Sequence, residues 1–346
     1  MPLSNNIKQK ISLEVIKTMV TVIDVMPENN FEENNPFYVA FTKNELDGKV
    51  TNVPSFISLS NWLQGLNTTL EQTFFENVAH ILCDGEKREY TSKNLGNLPI
   101  SKTQQDTITQ IINDLSTSSK LPDLEEENRK LLQNDHSPKV KAEDFSVDVF
   151  FENNDSVVAI VLNLNSGEMR DEKQKILEGK AALYRLFPGK QIGFYIGLPF
   201  DPTVNPANEP VTGYNKPRFL GSIINMNKYF DPKETLVASE LWDFLSGQQN
   251  TMEEILEIIN TISTPAFPQR FQLLTNNSKR MIPEYIAQLQ EWNLFSEQEL
   301  IENNNIILQK TAENNYLKRT FDKMAFDCKG NYNWDRYNYL KNNILN

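Results

Sequence analysis

Cysteine and histidine are almost missing from this chain of 346 residues, which has two of each: Cys83, Cys328, His80 and His136. Two distant cysteines frame neither a disulfide scaffold nor a zinc site, so both are expected as reduced thiols. Ser-His or Cys-His catalysis has little to draw on, and His80, on a helical pattern, is expected to be a packed or surface side chain. Long hydrophobic runs are missing too. No stretch approaches the roughly 20 apolar residues that cross a bilayer, so no membrane partner is expected. The N-terminal stretch lacks the basic start, apolar centre and small-residue cleavage site of a secretory leader, which points to the cytoplasm.

Basic charge is the third shortage. Lys and Arg number 34 against 46 Asp and Glu, a net charge of -12. That excludes a protein coating nucleic acid by bulk electrostatics, since counterion release needs cations at the phosphates. A local basic cleft remains open. Arg170, Lys173, Lys175, Lys180, Arg185 and Lys190 stand against Asp171, Glu172 and Glu178 in one stretch, which reads either as a basic face or as a solvated helix face.

What is present is a strand and helix alternation at the centre. The apolar patterns predict strands near 145–152, 156–164 and 190–198, with a charged helix near 168–187 that Ser166 would cap. Helical periodicity predicts further helices over 7–25, 60–83 and 101–115. Residues 85–102, with Lys87, Arg88 and Lys93, read as an exposed basic loop able to touch phosphates. Residues 116–142 read as a surface connection without a core of its own, and 199–219 as a long loop rich in Pro, Gly and Asn. Two helices follow, the first ended by Gly247 and the second opened by Thr251 and Glu254 in a capping box. The domain reading is a helical part over 1–142, a central core over 143–270 and a helical extension over 271–346, together one compact unit.

Asp148 is flanked by Val147 and Val149 in the first apolar strand, where a carboxylate needs a partner. An acid on one strand and an acid-x-lysine triplet on the next can hold a divalent ion against a phosphodiester. Here the first half stands alone. The triplet position reads Val161-Leu162-Asn163, and valine cannot bind Mg²⁺ while asparagine carries no ammonium.

The segments EKREYTSKNLGNLPISKTQQD, FSVDVFFEN, NSGEMRDEKQKILEGKAAL, YIGLPFDP with the later TGY, and ELWDFLSGQQNTMEEILEIINTI occur in order over about residues 60–270. Together they resemble TdeIII-type type II restriction endonucleases of the PD-(D/E)xK nuclease superfamily. The resemblance implies an α/β fold with a mixed central sheet flanked by helices, Mg²⁺-dependent cleavage of double-stranded DNA at GGNCC, action as a homodimer, and a cognate DNA methyltransferase. It places Asp148 as the first metal-binding acid and matches Asn165, Ser166, Gly167, Glu168, Lys173 and Lys175 to the segment after the triplet. Val161 and Asn163 stand where the family places Glu and Lys.

Two readings of the site follow. In one, Glu168 or Glu172 joins Asp148 at the ion and Lys173 or Lys175 replaces the missing ammonium, which makes Asp148, Glu168, Lys175 and Asn163 the catalytic set and Asp148 with Glu168 the metal pair. In the other, the site is disabled and the chain is a DNA-binding relative. Lys93, Lys173, Tyr214, Lys216 and Arg218 are the candidate DNA contacts, Arg and Lys being donors to guanine O6 and N7. From another class, a protein-binding module suits the acidic balance.

Overall fold

A computed structural model describes residues 2–25, 68–162, 168–204, 208–264, 266–312 and 314–345. The chain forms two compact units, Phe75–Met252 and a second made of Met1–Phe74 with Glu253–Asn346. The three consecutive stretches expected from sequence are regrouped, because the first helix packs with the last ones.

In the Phe75–Met252 unit, the part of helix α2 (Thr68–Cys83) from Phe75 onward leads into β1 (Glu86–Tyr90), the antiparallel pair β2 (Pro99–Ser101) and β3 (Lys139–Lys141), and helices α3 (Lys102–Ser116) and α4 (Leu124–Leu131) between them. Then come β4 (Phe145–Glu152), β5 (Ser156–Val161), α5 (Met169–Leu186) and β6 (Gln191–Leu198). Helices α6 (Lys216–Ser222) and α7 (Met226–Tyr229), strand β7 (Thr235–Val237) and helix α8 (Ser239–Ser246) complete it. The central sheet has the order β1-β4-β5-β6-β7. Its first two pairings are antiparallel and its last two parallel. This is the expected mixed sheet flanked by helices.

Why these residues form that sheet is plain at β5. Val157, Ala159 and Ile160 are all at 0% exposure, the continuous apolar run of a strand covered on both faces. Strand β4 instead buries Phe145, Val147 and Val149 and leaves Asp148 between them half-buried. Helix α5 turns Ile176, Leu177, Ala181 and Leu183 inward, with Asp171 and Glu172 in the first turn, where the helix dipole favours acids.

Several local expectations are corrected. EKREY is not loop but the edge strand β1, charged because only one of its long sides has a partner strand. The connection 116–142 carries α4 and β3, and Leu131 at 0% exposure gives it a share of the core. Lys216 and Arg218 lie on α6, which Asn215 caps by accepting from Arg218 N. Glu168 stands at the N-cap of α5 without a side-chain cap bond. Ser166, expected as that cap, lies outside the described residues, as do Trp62, Leu63, Asn163, Asn165 and Gly167.

The other unit is helical. It comprises α1 (Asn5–Val25), most of α9 (Thr251–Ile262), α10 (Phe267–Leu274), α11 (Pro283–Glu291), α12 (Phe295–Glu302), α13 (Asn304–Ala312), α14 (Asn315–Phe321) and α15 (Trp334–Leu340). Helix α1 buries Ile11, Val15, Ile16 and Met19. Glu254, expected to reach back toward Thr251, instead accepts from Leu3 N–H at 3.1 Å and pairs with Lys8 at 2.8 Å. Gly330, at φ +78°, lies so close to α1 that a Cβ there would stand 3.0 Å from Lys17 Cα, so glycine's freedom and lack of a side chain are both used. No helix among the described residues is long and apolar enough to cross a membrane.

Candidate active site

Asp148 is held on three sides. Its Oδ2 accepts from Leu162 N–H at 2.9 Å, which ties β4 to the end of β5. Its backbone carbonyl lies 2.7 Å from His80 Nε2 on α2, and since a carbonyl only accepts, the imidazole carries its proton there. Its Oδ1 lies 3.3 Å from Lys87 Nζ on β1. The same ammonium is 3.1 Å from Glu76 Oε1 on α2. Two carboxylates from a helix and a strand therefore converge on one cation.

Local geometry explains the convergence. Glu86 pairs with Phe150 and Arg88 with Val147, so Asp148 and Val149 together oppose Lys87, and the register shifts at that point. Such a bulge bends a strand and re-aims a side chain. Beside it, a Cβ on Gly85 would meet Cys83 Sγ at 2.8 Å and the Phe150 carbonyl at 3.0 Å. The tight turn from α2 into β1 needs that hydrogen, and it brings Glu76 and Lys87 to the same end of the sheet. Glu76 and Asp148 are each 18% exposed while Lys87 is 41% exposed. Partial burial opposes the charge on Lys87, but its hydrogen bond to Glu76 and the nearby Asp148 carboxylate outweigh it and raise its pKa.

The other candidates are placed elsewhere. Lys173, expected at DNA or at the phosphate, is 0% exposed and bridges Glu127 at 2.7 Å and Glu234 at 2.6 Å. A lysine enclosed by two carboxylates has no face for DNA, so that expectation is withdrawn. Lys180 is buried beside it, donating to Asn128 Oδ1 at 3.0 Å. Lys175 is half-exposed and reaches Glu172 at 3.4 Å, and Lys190 binds Glu152 at 2.6 Å. The basic run from Arg170 to Lys190 is thus partly interior, which overturns its reading as one basic or solvated face. Glu168 is exposed at the start of α5. Lys93 is exposed in the turn after β1. Tyr214 is 44% exposed, Lys216 pairs with Glu240 at 2.8 Å, and Arg218 forks onto Glu209 at 2.9 Å.

Glu76 and Lys87, which the structure brings to Asp148, were not among the candidate site residues read from sequence. Glu76 leaves one signal, an acid at the edge of an apolar helical stripe, and Lys87 reads as part of a basic loop able to touch phosphates, with nothing to join it to Asp148. Among the described residues no group of three or more His, Cys, Asp or Glu is placed to hold a metal. Two carboxylates at one end of the sheet are a donor set that suits Mg²⁺, which keeps several waters and takes one or two carboxylates plus substrate phosphate, although Lys87 competes for them.

A family model described as the type II restriction endonuclease HinfI matches residues 3–263. The type II restriction enzyme MjaII of Methanocaldococcus jannaschii is 39% identical over 364 aligned positions, spanning 97% of this chain and 96% of the relative. No solved structure matches. The TdeIII resemblance therefore stands at the coarser level of a type II restriction enzyme.

Proposed function

This chain belongs to the HinfI family of type II restriction endonucleases, and from that membership we propose that it cuts both strands of duplex DNA at a short palindrome by Mg²⁺-dependent phosphodiester hydrolysis. The observation that carries the chemistry is the convergence of Glu76 and Asp148 on a single cation. In this reading the two carboxylates hold the ion. When bound there, the ion polarises the phosphoryl oxygen and lowers the pKa of water. The chain's own part is positional: Leu162 N–H fixes one oxygen of Asp148, and His80 fixes the backbone that carries it. Glu168, Lys175 and Asn163 remain secondary candidates on the family resemblance alone.

The resemblance to TdeIII-type enzymes puts GGNCC first among targets. Lys93, Tyr214, Lys216 and Arg218 remain the proposed DNA contacts, with Arg218 exchanging Glu209 for a guanine edge. A palindrome calls for a two-fold pair of chains. Host DNA carrying the same site calls for a cognate methyltransferase, and both enzymes act in the cytoplasm.

The test is incubation of the purified chain with plasmid bearing GGNCC sites, with Mg²⁺, with Mn²⁺ and with EDTA. Discrete fragments that vanish with EDTA are expected, and Asp148→Ala should cut at least ~10²-fold more slowly while keeping its fold. Intact plasmid at high enzyme with either ion would sink the cleavage reading. That result would favour the second reading, a DNA-binding relative with little activity, for which Val161 and Asn163 at the triplet are the specific support.

A further inference from the structure

Assigning Glu76 and Asp148 to an ion leaves the third member of the cluster without work. Hydrolysis at a phosphate in this kind of site calls for an ammonium beside the ion, and the chain offers only an amide, Asn163, at the triplet. Of the lysines on α5, Lys173 is enclosed by Glu127 and Glu234 and Lys175 pairs with Glu172, whereas the ammonium beside Asp148 is that of Lys87. Lys87 lies 3.1 Å from one acid and 3.3 Å from the other, on the edge strand of the sheet, with a side chain 41% exposed. It stands opposite the bulge that Asp148 and Val149 make in β4, and its ammonium is carried on a flexible four-carbon stem.

We propose that Lys87 is the cation of this active site, in two capacities. Before a divalent ion is present it neutralises Glu76 and Asp148 and keeps two like charges together. Once those carboxylates engage the ion, its ammonium donates to a non-bridging oxygen of the scissile phosphate, the work an acid-x-lysine triplet would otherwise do. The proposal rests on the reading of Glu76 and Asp148 as the ion-holding pair. It assigns a catalytic group on β1, remote in sequence from Asn163.

A binding measurement that needs no cleavage separates this proposal from its premise. Mn²⁺ alone is titrated into the full-length chain without DNA, followed by electron paramagnetic resonance, for the unaltered protein, Lys87→Met and Lys87→Arg. Lys87→Met removes the competing ammonium and should bind Mn²⁺ about tenfold more tightly. Lys87→Arg keeps the charge and should match the unaltered chain. Unchanged or weaker Mn²⁺ binding in Lys87→Met, or equal tightening in Lys87→Arg, would overturn the proposal, since a merely structural lysine would weaken the site when lost. Plasmid cleavage is measured in parallel. Lys87→Met should lose on the order of 10²–10³-fold in rate, and a rate within about threefold of the unaltered chain would overturn the proposal. If no form cuts DNA, the function proposed above has failed, and the Mn²⁺ comparison alone decides the first capacity of Lys87.

Discussion

A half-buried carboxylate between valines costs several kcal/mol unless something answers it. At Asp148 the answer comes from Leu162 N–H, from Lys87 and, through the backbone, from His80. Glu76 completes the set from a different element, so its removal is the sharpest single-residue test of the pair. Glu76→Gln keeps the shape and hydrogen-bonding reach but halves the negative charge. It should weaken Mn²⁺ binding by about tenfold and slow cleavage at least ~10²-fold, with the melting midpoint moved by no more than about 2 °C because the residue is near the surface. Full cleavage by Glu76→Gln would remove this residue from the site. Asp148 stood out in sequence as a candidate because it is a carboxylate flanked by Val147 and Val149 in an apolar strand. The meeting of Glu76 and Lys87 with Asp148 was not legible, because what joins them is a turn at Gly85 and a bulge in β4, and neither leaves a periodic signal.

Among the elements, the strands at 145–152 and 191–198 and the helix at 169–186 were readable, since burial on one side imposes a period. Strand β1 was not, because EKREY has no apolar alternation and takes its conformation from β4. Helix α5 shows a different limit: charges that read as solvent-facing are interior. Lys173 lies between two carboxylates and keeps a raised pKa despite burial. Lys180 sits 3.9 Å from Glu234 and otherwise binds a neutral amide, so burial wins and lowers its pKa to about 8, from 10.5. Below pH 8 the folded and unfolded chains both carry this proton, and the cost of burying it stands in full. From pH 8 toward 10.5 only the unfolded chain carries it, so stability should rise with pH. Cys83, pushed up to about 11 by burial, opposes that trend above pH 9, where the unfolded thiol loses its proton first. Urea unfolding at pH 8 and pH 9 should therefore show the unaltered chain gaining about 1 kcal/mol relative to Lys180→Met over that unit. Parallel pH curves for the two proteins would show that Lys180 keeps its charge in the fold.

At the scale of the whole molecule, sequence order and packing order part company. Helix α1 and the chain from Glu253 onward form one unit, although most of the chain lies between them. The joins are specific. Gln9 Nε2 donates to Ser296 Oγ at 2.8 Å and Ser296 N–H donates back to Gln9 Oε1 at 2.6 Å, both residues being buried. Such a reciprocal pair cannot be seen in either segment alone, which is why the C-terminal stretch read as an extension. The interior of that unit is fixed by Arg336 and Glu297, both at 0% side-chain exposure and 2.6 Å apart, with Tyr332 donating to the same carboxylate at 3.2 Å. A buried pair of this kind stabilises little relative to an apolar replacement, yet breaking it strands a charge. Arg336→Ala should therefore destabilise its unit by about 3–5 kcal/mol. Amide hydrogen exchange at α12 and α15 is the measurement, because it reads that unit directly. Protection factors there should fall by at least ~10²-fold, since each 1.4 kcal/mol is a factor of ten in an opening equilibrium. Unchanged protection at α12 would mean that Glu297 finds water when Arg336 is gone, and that the pair lies outside the cooperative core of the unit.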